Sequence, residues 1–109
     1  MEWKISFFND GVKRAIDAWP HGIRAIFIRI AQRMRSHGPN LGMPFTRAFG
    51  DGLFEIRAKG QEGIGRAFFC LLVERNIVIL HEFIKKGDKT PQNELETAIR
   101  RMNEVKHGH

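Results

Sequence analysis

Four side chains in the C-terminal half have the types and spacing to act on a phosphodiester: Arg57, Arg66, His81 and Lys85. Whether they meet depends on two hairpins. If Gln61-Glu62 is the two-residue turn within Gly60-Gln61-Glu62-Gly63, Arg57 stands directly opposite Arg66. Like charges directly opposite are unfavourable in a sheet, so such a pair implies an anion between them. If Arg75-Asn76 is likewise a two-residue turn, Arg66 faces Lys85 and Cys70 faces His81. Under both registers the four residues share one face, and a slip of one residue in either hairpin would scatter them. Two guanidiniums and an ammonium can neutralise a phosphate and the extra charge of its pentavalent transition state. His81 can exchange protons near neutral pH. That set suits metal-free RNA cleavage, in which a ribose 2′-hydroxyl attacks the adjacent phosphate. Plainer roles exist for each: Arg57 as a solvated strand residue paired to Glu55 or Glu82, His81 as a structural histidine, and Lys85, Lys86 and Lys89 as a solvated turn. Arg66, at the edge of an apolar run, is harder to place that way, because a buried charge needs a partner.

The elements that must hold these residues can be read from periodicity. Trp3 to Phe8 reads as a short strand ending at Asn9-Asp10-Gly11, with Asp10 as the expected N-cap of a helix carrying Val12, Ala15, Ile16 and Trp19. Pro20 and Gly22 break that helix. A second helix carries Ile23, Ile26, Phe27, Ile30, Ala31 and Met34 on one stripe, with arginines opposite. A loop from about Ser36 to Gly52 then holds Met43, Pro44, Phe45 and Arg47. Three strands follow: alternating Leu53 to Lys59, near-continuous apolar Gly65 to Val73, and Ile77 to Lys86. Thr90 is the expected cap of a last helix with Pro91 at its first position and Leu95, Ala98, Ile99, Met102 and Val105 buried. The order strand–helix–helix–three strands–helix predicts one α+β domain over residues 1–109, with helices packed on an antiparallel meander.

Other chemistries find little support. The five histidines show no metal-ligand spacing, no Walker loop or Gly-x-Ser-x-Gly elbow is present, and the only serines are Ser6 and Ser36. No metal or cofactor is expected. Glu94 and Glu96 read as the charged face of a helix. Cys70, the single cysteine, lies in an apolar run and reads as a packed core thiol, with a reducing cytoplasm the simplest compartment. No signal peptide or membrane-spanning stretch is visible. The chain carries a net charge of +6, and from Asp17 to Asp51 no acidic residue intervenes while Arg24, Arg29, Arg33, Arg35 and Arg47 all occur. That distribution points to nucleic acid or an acidic protein as partner.

Leu53-Phe54-Glu55-Ile56-Arg57, Gly65-Arg66, Ile79-Leu80-His81-Glu82-Phe83-Ile84-Lys85-Lys86 and Lys89-Thr90-Pro91 together resemble the phage-derived HigB-like toxins over roughly residues 53 to 102. The resemblance implies the RelE/ParE-like fold and the role of toxin in a type II toxin–antitoxin system. Such toxins cleave mRNA in the ribosomal A site without a metal and are neutralised by a small antitoxin, commonly of helix-turn-helix type. Carried over by position, Arg57 and Arg66 match strand positions that bear catalytic basic residues, and Lys85, Lys86 or Lys89 the basic residue near the end of the last strand. Contacts to RNA and ribosome are expected from Arg29, Arg33, Arg47, Lys59, Lys86 and Lys89. The chain departs from the family by having no tyrosine, a residue often used at RelE-type sites, which makes His81 the candidate base. Two alternatives share the fold: a ParE-like inhibitor of DNA gyrase without catalysis, and an inactive prophage remnant that binds RNA or protein. On the nuclease reading, Arg57→Ala and Arg66→Ala are expected to abolish activity while leaving the fold intact.

Overall fold

The computed structural model describes residues 2–85 and 89–108; Lys86 lies outside the described residues. The chain runs β1 (Lys4–Phe7), α1 (Asp10–Asp17), α2 (His21–His37), β2 (Thr46–Gly50), β3 (Leu53–Gly60), β4 (Gly63–Leu72), β5 (Asn76–Lys85) and α3 (Gln92–Lys106). The strands form one five-stranded sheet in the order β1-β5-β4-β3-β2. β1 is parallel to β5 and the other pairs are antiparallel. The α+β architecture expected from the sequence is the one observed.

α1 and α2 cover one face. Asn9, not Asp10, caps α1: its backbone is extended and its side chain accepts a hydrogen bond from the Val12 amide at 2.9 Å. Asp10 is instead the first helical residue, where its charge complements the helix dipole. α2 buries Ile23, Phe27, Ile30, Ala31 and Met34 against Ile56, Ala58, Ala67, Phe69, Ile77 and Ile79. Each large aliphatic or aromatic side chain among them contributes roughly 1.5–3 kcal/mol on full burial. Helix and sheet approach closely because Gly60 and Gly65 lack side chains. A Cβ at Gly65 would lie 2.6 Å from the Trp19 ring, and one at Gly60 would lie 2.8 Å from the Ile23 amide nitrogen. No side chain within α2 caps its first turn; Glu62, from the β3–β4 turn, accepts a hydrogen bond from the Gly22 amide at 3.0 Å.

β2 lies within the stretch expected to be a loop. It is short, but Asp51 and Gly52 at φ 56° and 87° close a two-residue turn that pairs Gly50 with Leu53. An Asp-Gly turn of that kind is a hairpin signal, but Thr46 to Phe49 shows no clean alternation, and the ladder shifts between Ala48 and Gly50. At the other end, α3 begins at Gln92, with Pro91 at the capping position and no side-chain cap. Thr90 therefore does not play the expected role. α3 packs Ala98 and Met102 on the second face of the sheet, against Leu53, Phe68, Cys70, Val78, Leu80 and Phe83. Burial there pushes the Cys70 thiol up from its ordinary value, as suits a packed core thiol.

The two hairpins differ in how they meet expectation. β3 and β4 pair as expected, through the Gln61-Glu62 turn, and Arg57 is directly opposite Arg66. β4 and β5 are joined by three residues, Val73 to Arg75, with Glu74 and Arg75 at φ 64° and 58°. The ladder then shifts at a bulge between Phe68 and Phe69. Arg66 consequently faces Phe83, not Lys85, and Cys70 faces Val78, not His81. Lys85 is opposite Ile64 and His81 opposite Phe68. The longer loop and the bulge account for the corrected partners.

Candidate nucleic-acid site

On the second face, partly beneath α3, three strands lay out nine residues in three rows. Glu55, Phe68 and His81 form the first, Arg57, Arg66 and Phe83 the second, and Lys59, Ile64 and Lys85 the third. Arg47 extends the first row on β2, opposite Glu55. Arg57, Arg66, His81 and Lys85 thus do share a face, although Lys85 lies at a corner and His81 diagonally across from Arg66. Residues in these positions on adjacent strands have Cβ atoms about 4.5–8 Å apart, within reach of long side chains.

Arg66 is the centre of the pattern, and it is fully buried (0% exposed), as is Glu55. The Arg66 Nη1 donates to both Glu55 carboxylate oxygens, each at 2.8 Å. Arg57 Nε lies 4.0 Å from the same carboxylate, and the Arg57 side chain is 21% exposed. The anion that the facing arginines imply is therefore a carboxylate of the chain itself. One negative charge does not satisfy the cluster. Among the described residues, Arg57 Nε, Arg66 Nε and Arg66 Nη2 are buried without a hydrogen-bond partner. Burial, then the Arg66 charge, pull the Arg57 guanidinium down from its ordinary value; Glu55 opposes this and Arg47 adds to it. Three guanidiniums around one carboxylate leave a surplus of positive charge on this face, presented to solvent by Arg57 and by the exposed Arg47, whose guanidinium lies 4.8 Å over the Phe49 ring.

His81 is held from α3. Its Nε2 is 2.7 Å from Glu94 Oε1, with both side chains part-buried. Seven residues further along the same helix, Arg101 Nη1 donates to the Leu80 carbonyl at 2.9 Å. His81 lines a cavity of about 220 Å³ with Asn9, Gly11, Val12, Glu82 and Arg101. Glu82 points to the opposite face, where it accepts a hydrogen bond from the Trp19 indole at 2.7 Å.

The remaining expected contacts are dispersed. Lys59 and Lys89 are exposed, and Lys85 is half-buried and already engaged with a neighbour. Arg29 and Arg33 are exposed on α2, across the sheet from the arginine pair. Arg33 lies 5.3 Å over the Phe45 ring, and Arg29 shares an open depression with Lys59 around the end of β3. Two carboxylates of the site are absent from the expected functional residues, although the sequence offers Glu55 as a partner for Arg57. Glu55 is legible in principle: alternation places it on the Arg57 face and the first hairpin puts it diagonal to Arg66. Glu94 reads as a surface charge, because nothing in the sequence says that α3 crosses β5 at His81. Among the described residues no group of three or more His, Cys, Asp or Glu side chains is placed to hold a metal ion. Nor is any helix among them long and apolar enough to cross a membrane.

This arrangement of sheet and helices is that of RelE. A chain of the crystal structure of the archaeal RelE–RelB complex from Pyrococcus horikoshii OT3 matches it with a TM-score of 0.58 at 15% sequence identity, covering 81% of this chain and 100% of that one. At that identity the likeness defines the fold. The protein belongs to the phage-derived Gp49-like family, whose profile matches residues 14–103. No curated protein matches the sequence.

Proposed function

We propose that this protein is a HigB-like toxin of a type II toxin–antitoxin pair and acts as a metal-independent, ribosome-dependent mRNA endoribonuclease. The observation that carries this reading is the cationic face built around Arg57 and Arg66, with Arg47 beside them and His81 on the same face. The RelE-like fold and the Gp49-like family support the toxin role. The matched archaeal RelE is in complex with RelB, and by analogy the partner here is a cognate antitoxin, of helix-turn-helix type from the resemblance above.

Arg57 is the guanidinium placed to meet a backbone phosphate, since Arg66 is covered and holds Glu55. Arg66 then acts from beneath as a positioning residue, fixing the carboxylate against which Arg57 is set. Fixed positive charges at the phosphate supply the stabilisation of a developing dianion that a divalent ion provides in other nucleases. Arg47, Lys59 and Lys89 on the accessible surface, with Arg29 and Arg33 on α2, are the cations available to ribosomal and messenger RNA.

The test is induced expression in a bacterial host with mapping of transcript ends. Cleavage within translated codons that vanishes in Arg57→Ala supports the reading, with loss of about 10²–10³ in rate expected for removal of one such charge. The burial of Arg66 gives weight to a second reading, in which the basic face binds without cleaving. Growth arrest with intact mRNA and damaged or relaxed chromosomal DNA would favour that reading, in its gyrase-inhibitor form. An Arg57→Ala protein that remains fully toxic with unchanged cleavage would overturn the proposed site.

A further inference from the structure

The chain has no tyrosine to take part in proton transfer, and among the described residues His81 is the one imidazole on the cationic face. What α3 does at this point is unusual for a helix whose task is only to cover a sheet. It reaches the bulged stretch of β5 twice, with Glu94 on the His81 ring and Arg101 on the Leu80 carbonyl. The two residues are seven apart and so lie on one side of the helix, two turns from each other. The Arg101 contact satisfies the Leu80 carbonyl at the bulge, where the ladder is locally disrupted. With that backbone pinned, the His81 ring has a fixed origin, and the Glu94 carboxylate then fixes its rotation.

An ionised carboxylate only accepts hydrogen bonds, so the ring nitrogen facing it must carry the proton. At 2.7 Å the contact has the length of a charge-assisted bond. Nε2 is therefore the protonated nitrogen, and Nδ1 is left with its lone pair in the neutral ring. Among the described residues, the charged groups that neighbouring elements bring toward the imidazole include Arg101 from α3, Arg66 diagonally across on β4, and Glu82 on β5, which is turned away and bound to Trp19. None competes with Glu94 for Nε2.

We infer that Glu94 is the positioning residue of His81: it holds the Nε2–H tautomer and aims Nδ1 as the general base. This rests on the ribonuclease reading. In that reaction the 2′-hydroxyl proton passes to Nδ1 and the O2′ electron pair forms a bond to phosphorus. The P–O5′ bond breaks with its pair on O5′, which takes a proton from water, leaving a 2′,3′-cyclic phosphate. Glu94 then faces an imidazolium and stabilises it without itself being protonated. Glu94 touches no reacting atom, so its effect must show in rate and ring chemistry and not in ribosome binding.

Two measurements test this. The first needs no activity: ¹⁵N-detected imidazole spectra of the full-length protein, with His81→Gln to assign the ring. The expected result is the Nε2–H form in the wild type and a mixture of tautomers in Glu94→Ala. A wild-type ring protonated on Nδ1 when neutral, or shifts unaffected by Glu94→Ala, would overturn the inference whatever the protein cleaves. The second is single-turnover cleavage on programmed ribosomes. Glu94→Ala should lower the rate about tenfold to a hundredfold, as loss of an orienting carboxylate does elsewhere, with the half-saturating ribosome concentration unchanged. Glu94→Gln, which keeps an acceptor but no charge, should restore the tautomer and only part of the rate. A Glu94→Ala protein that cleaves at wild-type rate per folded molecule would show that the contact merely ties α3 to the sheet. If the wild type cleaves nothing, the ribonuclease reading falls and the spectra alone decide the geometry.

Discussion

Replacing Arg66 should damage the fold before it informs about catalysis. Arg66 and Glu55 are both 0% exposed and joined through one nitrogen to two oxygens at 2.8 Å. Taking either partner away leaves the other as an uncompensated charge in the interior, and breaking such a pair costs about 3–5 kcal/mol. Against a total stability of roughly 5–15 kcal/mol for a domain of this size, that is a large share. At about 4–8 °C per kcal/mol, Arg66→Ala should melt on the order of 12–40 °C below the wild type. Glu55→Ala should do the same. The pair Glu55→Gln with Arg66→Met removes both charges at nearly constant volume and should recover most of the stability, since hydrophobic or neutral replacements of buried pairs are often close to neutral. Urea unfolding of Glu55→Gln, Arg66→Met and the double closes a double-mutant cycle, and the double should be more stable than either single. The reasoning fails if Arg66→Ala unfolds within about 0.5 kcal/mol of the wild type, the range of an ordinary surface change. The expectation that Arg66→Ala keeps the fold is thereby reversed, and Arg57→Ala becomes the informative active-site variant.

Three other perturbations act on single contacts. The Gly22 amide hydrogen bond holds the Glu62 carboxyl below its ordinary value, so its contribution is present above the unfolded value and lost as pH falls through the folded one. Glu62→Gln should therefore flatten the acid limb of stability against pH in a urea series, and an unchanged limb would show that the contact carries no linkage. Gly65→Ala places a Cβ 2.6 Å from the Trp19 ring and 2.7 Å from Ile23, and should cost about 1–3 kcal/mol in thermal melts, since neither side chain has room to retreat. Arg29→Gln with Arg33→Gln should lower ribosome affinity and reduce the slope of log affinity against log salt by about one for each phosphate no longer neutralised, leaving the cleavage rate at saturation alone.

Much of the fold is readable from the chain because the strong signals are local. The stripe from Ile23 to Met34, the alternation from Leu53 to Lys59 and the two-residue turn at Gln61-Glu62 each depend on neighbours in sequence. They deliver α2, β3 and the facing arginines. What the sequence conceals depends on partners distant along the chain. β2 is too short to be stable alone and exists by pairing with β3. The β4–β5 register turns on a three-residue loop with two non-glycine residues in the left-handed region, which composition does not announce. The two carboxylates differ again. Glu55 can be inferred once the first hairpin is fixed, whereas Glu94 depends on where a helix crosses a strand, a matter of packing.

The bulge after Phe68 works like a change of reading frame written in geometry. The ladder closes at Leu72 opposite Asn76, and continued without interruption it would put Glu82 opposite Arg66. His81, Phe83 and Lys85 would then lie beneath α1 and α2, and the cationic face would carry Leu80, Glu82 and Ile84 in their place. One surplus residue re-phases the rest of β5 and lets Leu80 and His81 sit on the same side. Among relatives, a single-residue gap at Leu80 should therefore be tolerated: it removes the surplus residue, keeps His81 opposite Phe68 and leaves Phe83 and Lys85 on the cationic face. Deleting Leu80 should straighten β5 and remove the carbonyl that Arg101 holds, while every cationic side chain stays on its face.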